Sequence, residues 1–187
     1  MAPSLFSFIV LITLFSTLAL SHDLKHHHIA TKNHLKSLKF TLYLHETINK
    51  TAYFVVKGVA GPTGITKTSN SFGSLVVYQD PLTETPDPTS KVLGHVEGLA
   101  TTSSFTGERT TCVSRMTLNI KGYKGELLNV ETGYYNQVSE LPFVGGTGDF
   151  RFAQGYIIST LFDLRGEGAC YKTDFVIYWP PYAHLAN

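Results

Sequence analysis

Three acidic residues stand where strand-like segments of this sequence meet turns, namely Glu46, Asp80 and Asp149. A carboxyl group can donate or accept a proton during catalysis. Inside an apolar cavity its pKa is raised, because ionisation there loses hydration, and it stays protonated nearer to neutral pH. If these residues face such a cavity, the sequence predicts acid–base chemistry carried by carboxyl groups.

Glu46 is the first candidate for the proton donor. It follows in phase the alternating apolar residues of the first predicted strand, which are Leu38, Phe40, Leu42 and Leu44. Since alternate residues of a strand share a face, Glu46 should point into the interior, and His45 should lie outside the pocket or at a subunit contact. The pattern alone is equally compatible with a glutamate that ends a strand and faces solvent.

Asp80 and Asp149 are the other candidate catalytic acids. Asp80 shares strand parity with Val76 and Tyr78, so it could hold a phenol or serve as a second carboxyl. It also precedes Pro81, and an aspartate before a proline often starts a turn. Asp149 follows a glycine-rich turn, where capping of backbone amides and a functional role are equally open.

The candidate contacts for an aromatic ligand are Tyr43, Tyr78, Phe152 and Tyr156. The phenols of Tyr43 and Tyr78 could relay protons or stack on a ring. Phe150, Phe152 and Tyr156 recur at even offsets after the glycine turn, which predicts one face of an extended strand. Aromatic walls suit an aromatic ligand, although core packing is the simpler explanation for any single one of these side chains.

No cofactor or metal motif is recognisable. Gly146 and Gly148 lack the third glycine, the Lys-Ser/Thr ending and the following helix of a nucleotide-binding loop. His26, His27 and His28 have no acidic or cysteine partner at ligand spacing. The net charge of +1 provides no field that favours nucleic acid. We therefore expect no cofactor, no metal and no nucleic-acid partner.

The segments that must position these residues are short strands. Turn signals separate eight extended runs, and we find no convincing helix of three turns. This pattern indicates an all-β fold, either a closed antiparallel barrel or a sandwich. A barrel of eight strands can hold one small ligand. The runs are residues 38–45, 52–59, 72–79, 91–101, 110–121, 126–131, 150–162 and 171–179.

The chain divides into three predicted regions. Residues 1–21 contain no charged side chain and end in Ala-Leu-Ser, which is typical of a secretory signal peptide cut after Ser21. The alternative, an N-terminal anchor, is less compatible with an apolar run that is short and rich in hydroxyl groups. Residues 22–37 should be a flexible, polar, His-rich segment, and residues 38–187 the barrel domain. We expect a secreted, extracellular protein with no membrane contact after cleavage.

Two covalent modifications are suggested by the sequence. Asn49-Lys50-Thr51 is an N-glycosylation sequon, which a secreted chain can use. Cys112 and Cys170 are the only two cysteines. They could pair in an oxidising compartment, or both could be buried thiols, and the sequence leaves the two alternatives open.

Four segments together resemble the plant dirigent family. They are Tyr43-Leu-His-Glu46, Leu75-Val-Val-Tyr-Gln-Asp-Pro-Leu-Thr83, Asp87-Pro-Thr-Ser-Lys-Val-Leu-Gly94 and Glu140-Leu-Pro-Phe-Val-Gly-Gly-Thr-Gly-Asp149. The resemblance implies an eight-stranded antiparallel β-barrel of the dirigent or allene-oxide-cyclase type with no major helix. It also implies a homotrimer in the cell wall space that steers reactive phenolic intermediates.

Within that family, the chain looks most like the legume pterocarpan synthases. The similarity lies in Tyr43-Leu-His-Glu-Thr-Ile-Asn-Lys-Thr51, Gln154-Gly-Tyr156 and Tyr178-Trp-Pro-Pro-Tyr-Ala183. These enzymes are dehydratases, so the resemblance implies conversion of a 2′-hydroxyisoflavan-4-ol to a pterocarpan. Water leaves from C4, a quinone methide forms, and the 2′-hydroxyl closes the ring without cofactor or metal. The family position of Glu46 favours its functional interpretation.

Two other functions stay open. One is a non-catalytic dirigent protein that directs the coupling of monolignol radicals made by a separate oxidase, and the other is a carrier or defence protein that binds a phenolic without turnover. Lignan-forming relatives have an aspartate and an arginine at the positions we align with Thr132 and Ser139. Because both charges are missing here and Glu46 is present, the sequence favours the dehydratase over the radical-coupling protein. Against the carrier, an acidic group inside a barrel is costly unless it is used or paired.

Overall fold

The structure, a computed structural model, describes residues 36–59, 71–134 and 138–185. The predicted signal peptide lies outside the described residues. Among those residues, one 3₁₀ turn follows the last strand, and no helix is long and apolar enough to cross a membrane. The strands are β1 (Lys36–Thr47), β2 (Ala52–Val56), β3 (Leu75–Thr83), β4 (Val92–Thr102), β5 (Arg109–Ile120), β6 (Tyr123–Tyr134), β7 (Ser139–Gly148), β8 (Gln154–Arg165) and β9 (Gly168–Trp179).

Eight of these strands close into an antiparallel barrel. They follow one another as β1-β9-β8-β7-β6-β5-β4-β3, and β1 pairs again with β3 where Leu44 lies opposite Leu82. β2 is a short additional strand that pairs with the first half of β3, with Ala52 opposite Tyr78. The predicted all-β barrel is confirmed.

The strand that the sequence prediction missed is β7. Gly145 and Gly146 do not form a turn but pair with β6, with Gly145 opposite Leu128 and Gly146 opposite Leu127. The third glycine, Gly148, has a φ of 58° and begins the turn. The turn comes later, where Phe150 N donates to Thr147 O and Ala153 N donates to Phe150 O, both at 3.0 Å. The prediction that Phe150 and Phe152 share a strand face is therefore wrong, because β8 begins only at Gln154.

Two strand ends differ from their predicted positions. β1 begins at Lys36, two residues before the predicted start of the barrel, because Lys36 pairs with Trp179 across the sheet and its ammonium lies 4.7 Å from the indole centroid. β3 does not end before Asp80 but continues through it, with Asp80 opposite Val96. The interpretation of Asp80 as the start of a turn is therefore wrong.

Stacked aromatic side chains fill one half of the barrel. The rings of Phe40 and Phe175 stack at 4.5 Å between centroids, and the rings of Tyr123 and Trp179 at 5.5 Å. Phe150, which is fully buried, packs 6.3 Å from Trp179. The N-terminal half of β1 pairs with the C-terminal half of β9, so these rings belong to one end of the barrel. The opposite half contains the cavity.

Candidate functional site

A cavity of about 190 Å³ occupies the half of the barrel away from the stacked rings. Its apolar walls come from residues such as Leu44, Val76 and Leu141. No lysine, arginine or histidine is among the described residues that line it. Its principal polar side chains are Glu46, Tyr78, Asp80, Cys112, Ser114 and Glu131.

Glu46 and Asp80 lie on the two sides of the seam that closes the barrel. The last recorded pair of this seam is Leu44 opposite Leu82, and two residues further along each strand are Glu46 and Asp80. Both therefore keep the inward phase, and both line the cavity. A turn then carries the chain into β2, with Thr51 N donating to Thr47 O at 2.9 Å and Gln79 N donating to Thr51 O at 2.8 Å.

The carboxyl group of Asp80 is buried and incompletely paired. The residue is only 1% exposed, and its Oδ1 has no hydrogen-bond partner among the described residues. Burial raises the pKa of Asp80 to about 7, with a smaller contribution from Glu46 in the same direction and an opposing hydrogen bond from Thr51. Burial also raises the pKa of Glu46. This pair can therefore hold protons near neutral pH.

Glu131 stands on a different wall of the same cavity and has hydrogen-bond donors around it. It lies directly opposite Cys112 on the neighbouring strand. Asn129 Nδ2 donates to its Oε2 at 2.8 Å, and Ser114 Oγ donates to Asn129 Oδ1. Burial raises the pKa of Glu131, while hydrogen bonds from Cys112 and Asn129 act against that rise. Donors that favour the charged form make Glu131 the better proton acceptor.

Tyr78 adds a neutral phenol to the cavity. Burial is the main cause that raises its pKa well above the usual range, and Ser114 hydrogen-bonds to it. The thiol of Cys112 also has a raised pKa, first because of burial and then because of the charge of Glu131. Both groups therefore stay protonated, and the phenol of Tyr78 can donate a hydrogen bond to a ligand.

The sequence reasoning missed Glu131. It aligned the family's acidic position with Thr132, but Thr132 is exposed on the outer face, while Leu127, Asn129 and Glu131 face inward. Thr132 and Ser139 carry no charge, as the sequence showed, but Glu131 places a carboxyl group on the inner face one residue before Thr132. The alternation along β6 gave only a weak signal for the inner face, because outward residues such as Leu128 are apolar as well. Ser139 does line the cavity, without charge.

Three of the four predicted aromatic contacts lie elsewhere, and only Tyr78 lines the cavity. Tyr43 packs edge-on against Phe162 at 5.6 Å. Phe152 is 41% exposed, has a φ of 61° and contacts Tyr182. Tyr156 precedes the fully buried Ile157 and so points outward. Strand parity fails for Phe152 because it belongs to the turn before β8.

Asp149 has a structural position. Its Oδ2 accepts a hydrogen bond of 2.7 Å from Lys124 N, which ties the turn after β7 to the start of β6. It does not line the cavity. Of the two roles that the sequence left open, capping of a backbone amide is the one that the structure displays.

His45 points away from the cavity, as its parity predicts. Its Nε2 lies 2.8 Å from Thr83 Oγ1, and it lines a second, outer pocket that includes Cys170 and shares Glu46 with the cavity. Cys112 faces the cavity from β5, and β9, which carries Cys170, is on the opposite side of the barrel. The two thiols form no disulfide with each other. Asn49 is exposed in the turn after β1.

Comparison with known proteins agrees with this architecture. The model of the family described as Dirigent-like protein matches residues 37–178. Dirigent protein 1 of Arabidopsis thaliana is 32% identical over 148 residues, which are 76% of this chain and 81% of that protein. Pterocarpan synthase 1 of Glycyrrhiza echinata is 32% identical over 150 residues, covering 75% of this chain and 79% of the relative.

Solved structures lead to the same family. A pterocarpan synthase dirigent protein superposes with a TM-score of 0.67 at 27% identity, and the match covers 78% of this chain and 92% of that one. A second such structure gives a TM-score of 0.66 at 25% identity, with 77% and 96% covered. The fold and the sequence are thus shared with these proteins, and the chain belongs to the dirigent family.

Proposed function

We propose that this protein is a dehydratase of the pterocarpan-synthase type, which converts a 2′-hydroxyisoflavan-4-ol to a pterocarpan with loss of water. The observation that carries the proposal is the set of three carboxyl groups, Glu46, Asp80 and Glu131, that line an otherwise largely apolar cavity. Their raised pKa values suit the protonation of a leaving hydroxyl. The relatives named pterocarpan synthases support the choice of substrate.

In the first step, a proton comes from the two acids beside the barrel seam, Glu46 and Asp80, which we call the seam pair. Hydroxide is a poor leaving group, so the C4 hydroxyl must be protonated as its bond to carbon breaks. Glu46 gives up this proton, and Asp80 Oδ1 accepts a hydrogen bond from a substrate hydroxyl. General acid catalysis of this kind contributes roughly 10²- to 10⁴-fold to the rate.

In the second step, Glu131 accepts the proton of the phenol that is para to C4, which leaves a neutral quinone methide. The 2′-hydroxyl then bonds to C4, its proton returns to Glu46, and Glu131 returns its proton to the ring oxygen. Every proton is accounted for, one water is released, and no electron is transferred. The apolar walls fix which face of C4 the 2′-hydroxyl reaches.

The test is to incubate the purified mature protein with racemic 2′-hydroxyisoflavan-4-ol, without oxidase, and to follow the products by chiral chromatography. We expect rapid conversion of one enantiomer to one pterocarpan. Conversion no faster than in the buffer blank would contradict the proposal.

A second candidate is a non-catalytic dirigent protein that directs radical coupling. It is favoured by the similarity to Dirigent protein 1, which is as high as that to the pterocarpan synthase. Coniferyl alcohol with a laccase tests it, because a directing protein changes the enantiomeric ratio of the coupled products while the laccase sets their rate.

The protein is further proposed to be secreted, glycosylated and trimeric. Asn49 is exposed in a turn, where an oligosaccharide can be attached without disturbing the barrel. A row of apolar side chains crosses the outer face of β2 to β6, each between 43% and 50% exposed. Successive members lie opposite one another in the strand register, and the row consists of Tyr53, Val77, Leu99, Val113 and Val130. This row is the proposed contact between copies of the chain.

A further inference from the structure

The cavity contains a nucleophile that the proposed reaction does not use. Cys112 lies on β5, opposite Ala100 of β4 on one side and Glu131 of β6 on the other. Its side chain lines the cavity and is 7% exposed. A reactive intermediate that forms between the seam pair and Glu131 is therefore within the same cavity as this thiol.

An independent feature marks the same cavity as a ligand site. Asp80 lines the cavity and is 99% buried, since only 1% of it is exposed, and its Oδ1 has no partner among the described residues. An acceptor buried in this way is costly unless a ligand supplies a donor. A hydroxylated ligand that satisfies Asp80 therefore shares the cavity with the thiol of Cys112.

A quinone methide in this cavity is an electrophile at C4, and sulfur is among the best nucleophiles for such a carbon. With the intended substrate the 2′-hydroxyl of the same molecule reacts first, because it is already held beside C4. We propose that Cys112 is a covalent capture site, whose Sγ bonds to C4 of a quinone methide when the substrate has no 2′-hydroxyl. This inference rests on the proposed dehydratase function.

The capture step balances without an oxidant. The Sγ–C4 bond forms, Glu131 returns the phenol proton to the ring oxygen, and the thiol proton passes to the carboxylate that Glu46 became when it protonated the leaving water. The sum is one alcohol and one thiol giving one thioether and one water. Substrates without a 2′-hydroxyl are therefore mechanism-based inactivators of this protein.

Ordinary thiol reagents should react only slowly with Cys112. They react with thiolates, and burial together with the charge of Glu131 raises the pKa of this thiol. The chain also offers a matched control, since Cys170 is a second buried thiol that lines the outer pocket. Capture by an electrophile formed inside the cavity should modify Cys112 and leave Cys170 unmodified.

The experiment uses 7-hydroxyisoflavan-4-ol, which has the para phenol but no 2′-hydroxyl, and mature protein in thiol-free buffer made with H₂¹⁸O. Intact-mass measurement and peptide mapping should find one adduct per chain on Cys112, with the mass of the alcohol less one water. Cys112→Ala should abolish this adduct and Cys170→Ala should leave it unchanged. Recovered alcohol with ¹⁸O at C4 reports that a quinone methide formed, because water adds to the same carbon.

Each outcome decides the proposal. The capture proposal is overturned if the recovered alcohol contains ¹⁸O at C4 but Cys112 carries no adduct. It is also overturned if the only adduct is on Cys170. If neither ¹⁸O exchange nor adduct is found, the dehydratase proposal fails, and a hydroxybenzyl acetate, which releases a small quinone methide in buffer, then tests the site alone. Modification of Cys112 ahead of Cys170 by that reagent supports the capture site, and equal or absent modification of Cys112 overturns it.

Discussion

Two glutamates in one cavity differ in the hydrogen bonds that their carboxyl groups receive. The raised pKa of Glu46 has burial as its cause, whereas at Glu131 hydrogen bonds from Cys112 and Asn129 act against burial. Groups whose environments separate their pKa values in this way commonly divide acid and base roles between them. At the residue scale, we therefore propose that the hydrogen bonds from Cys112 and Asn129 make Glu131 the base and leave Glu46 as the acid.

Replacement of Glu46 by glutamine tests its role as the acid. Glu46→Gln keeps the size and polarity of the side chain but cannot release a proton, so we expect kcat for dehydration to fall by about 10²- to 10⁴-fold. Phenolic binding, measured by calorimetry, and the far-ultraviolet spectrum should stay as in the wild type. Glu140→Gln, on an exposed acid of β7, is the matched control and should keep full turnover. Unchanged turnover in Glu46→Gln would remove Glu46 from the mechanism.

Asp80 makes stability depend on pH. Its folded-state pKa of about 7 lies above the ordinary value of 3.8, so the folded chain keeps a proton that the unfolded chain releases. Stability is therefore full below about pH 4, falls as the pH rises, and levels off above about pH 7. One pKa unit corresponds to about 1.4 kcal/mol, which puts the loss at no more than about 4.5 kcal/mol.

Urea unfolding at pH 4.5 and pH 8 measures this loss. The wild type should be less stable at pH 8, and Asp80→Asn should reduce the difference between the two pH values. Glu46 and Glu131 contribute in the same direction and stay in place, so some difference should persist. An equal pH dependence in both proteins would show that Asp80 is not protonated in the folded chain.

Alternation predicts inward residues only where it is regular. It placed Glu46 and Tyr78 correctly because β1 and β3 keep their phase up to the cavity. It misplaced Phe152 because a turn with a positive φ interrupts the count. It overlooked Glu131 because a polar residue on the inner face looks, in sequence, like a polar residue on the outer one. Roles that depend on a partner across the barrel are not visible in a single strand.

At the scale of the elements, the glycines of β7 and β8 are not interchangeable. Gly145 has open space around the position of a Cβ. Gly155 has a φ of 141°, and a Cβ there would lie 2.0 Å from the carbonyl oxygen of Val176. The predicted glycine turn was wrong for Gly145 and Gly146, which pair with β6, because glycine permits close strand pairing as well as turning. Sequence alone does not separate these two uses.

Substitution of one glycine by alanine in each class tests this distinction. Gly155→Ala must push β8 away from β9 or distort the backbone, and we expect a loss of about 2–4 kcal/mol in the free energy of unfolding, or no folded protein. Gly145→Ala should change that free energy by less than about 1 kcal/mol. Thermal unfolding of both variants beside the wild type measures the difference. Equal effects would contradict the close approach at Gly155.

At the scale of the whole molecule, one half of the barrel is packed with aromatic rings and the other half contains the cavity. The stacked rings around Phe175 and Trp179 fill one half, so the other half can bury acids without being the sole source of core packing. The outer face carries a second division, since the apolar row lies beside a polar row in which Arg115 pairs with Glu97. Strand-by-strand prediction found the eight-stranded class but not these rows, which exist only once the register between strands is known.

The apolar row leads to a prediction about assembly. If Leu99 at the centre of the row packs against a second copy, Leu99→Glu places a charge in a contact that excludes water, which costs several kcal/mol. We expect light scattering coupled to size exclusion to give three copies for the wild type and one for the variant. Leu164→Glu is the control, because Leu164 is 56% exposed on β8, across the barrel from β4, and should keep the wild-type mass. A trimer that survives Leu99→Glu would place the contact elsewhere, and a monomeric wild type would show that the row is covered by something other than this chain.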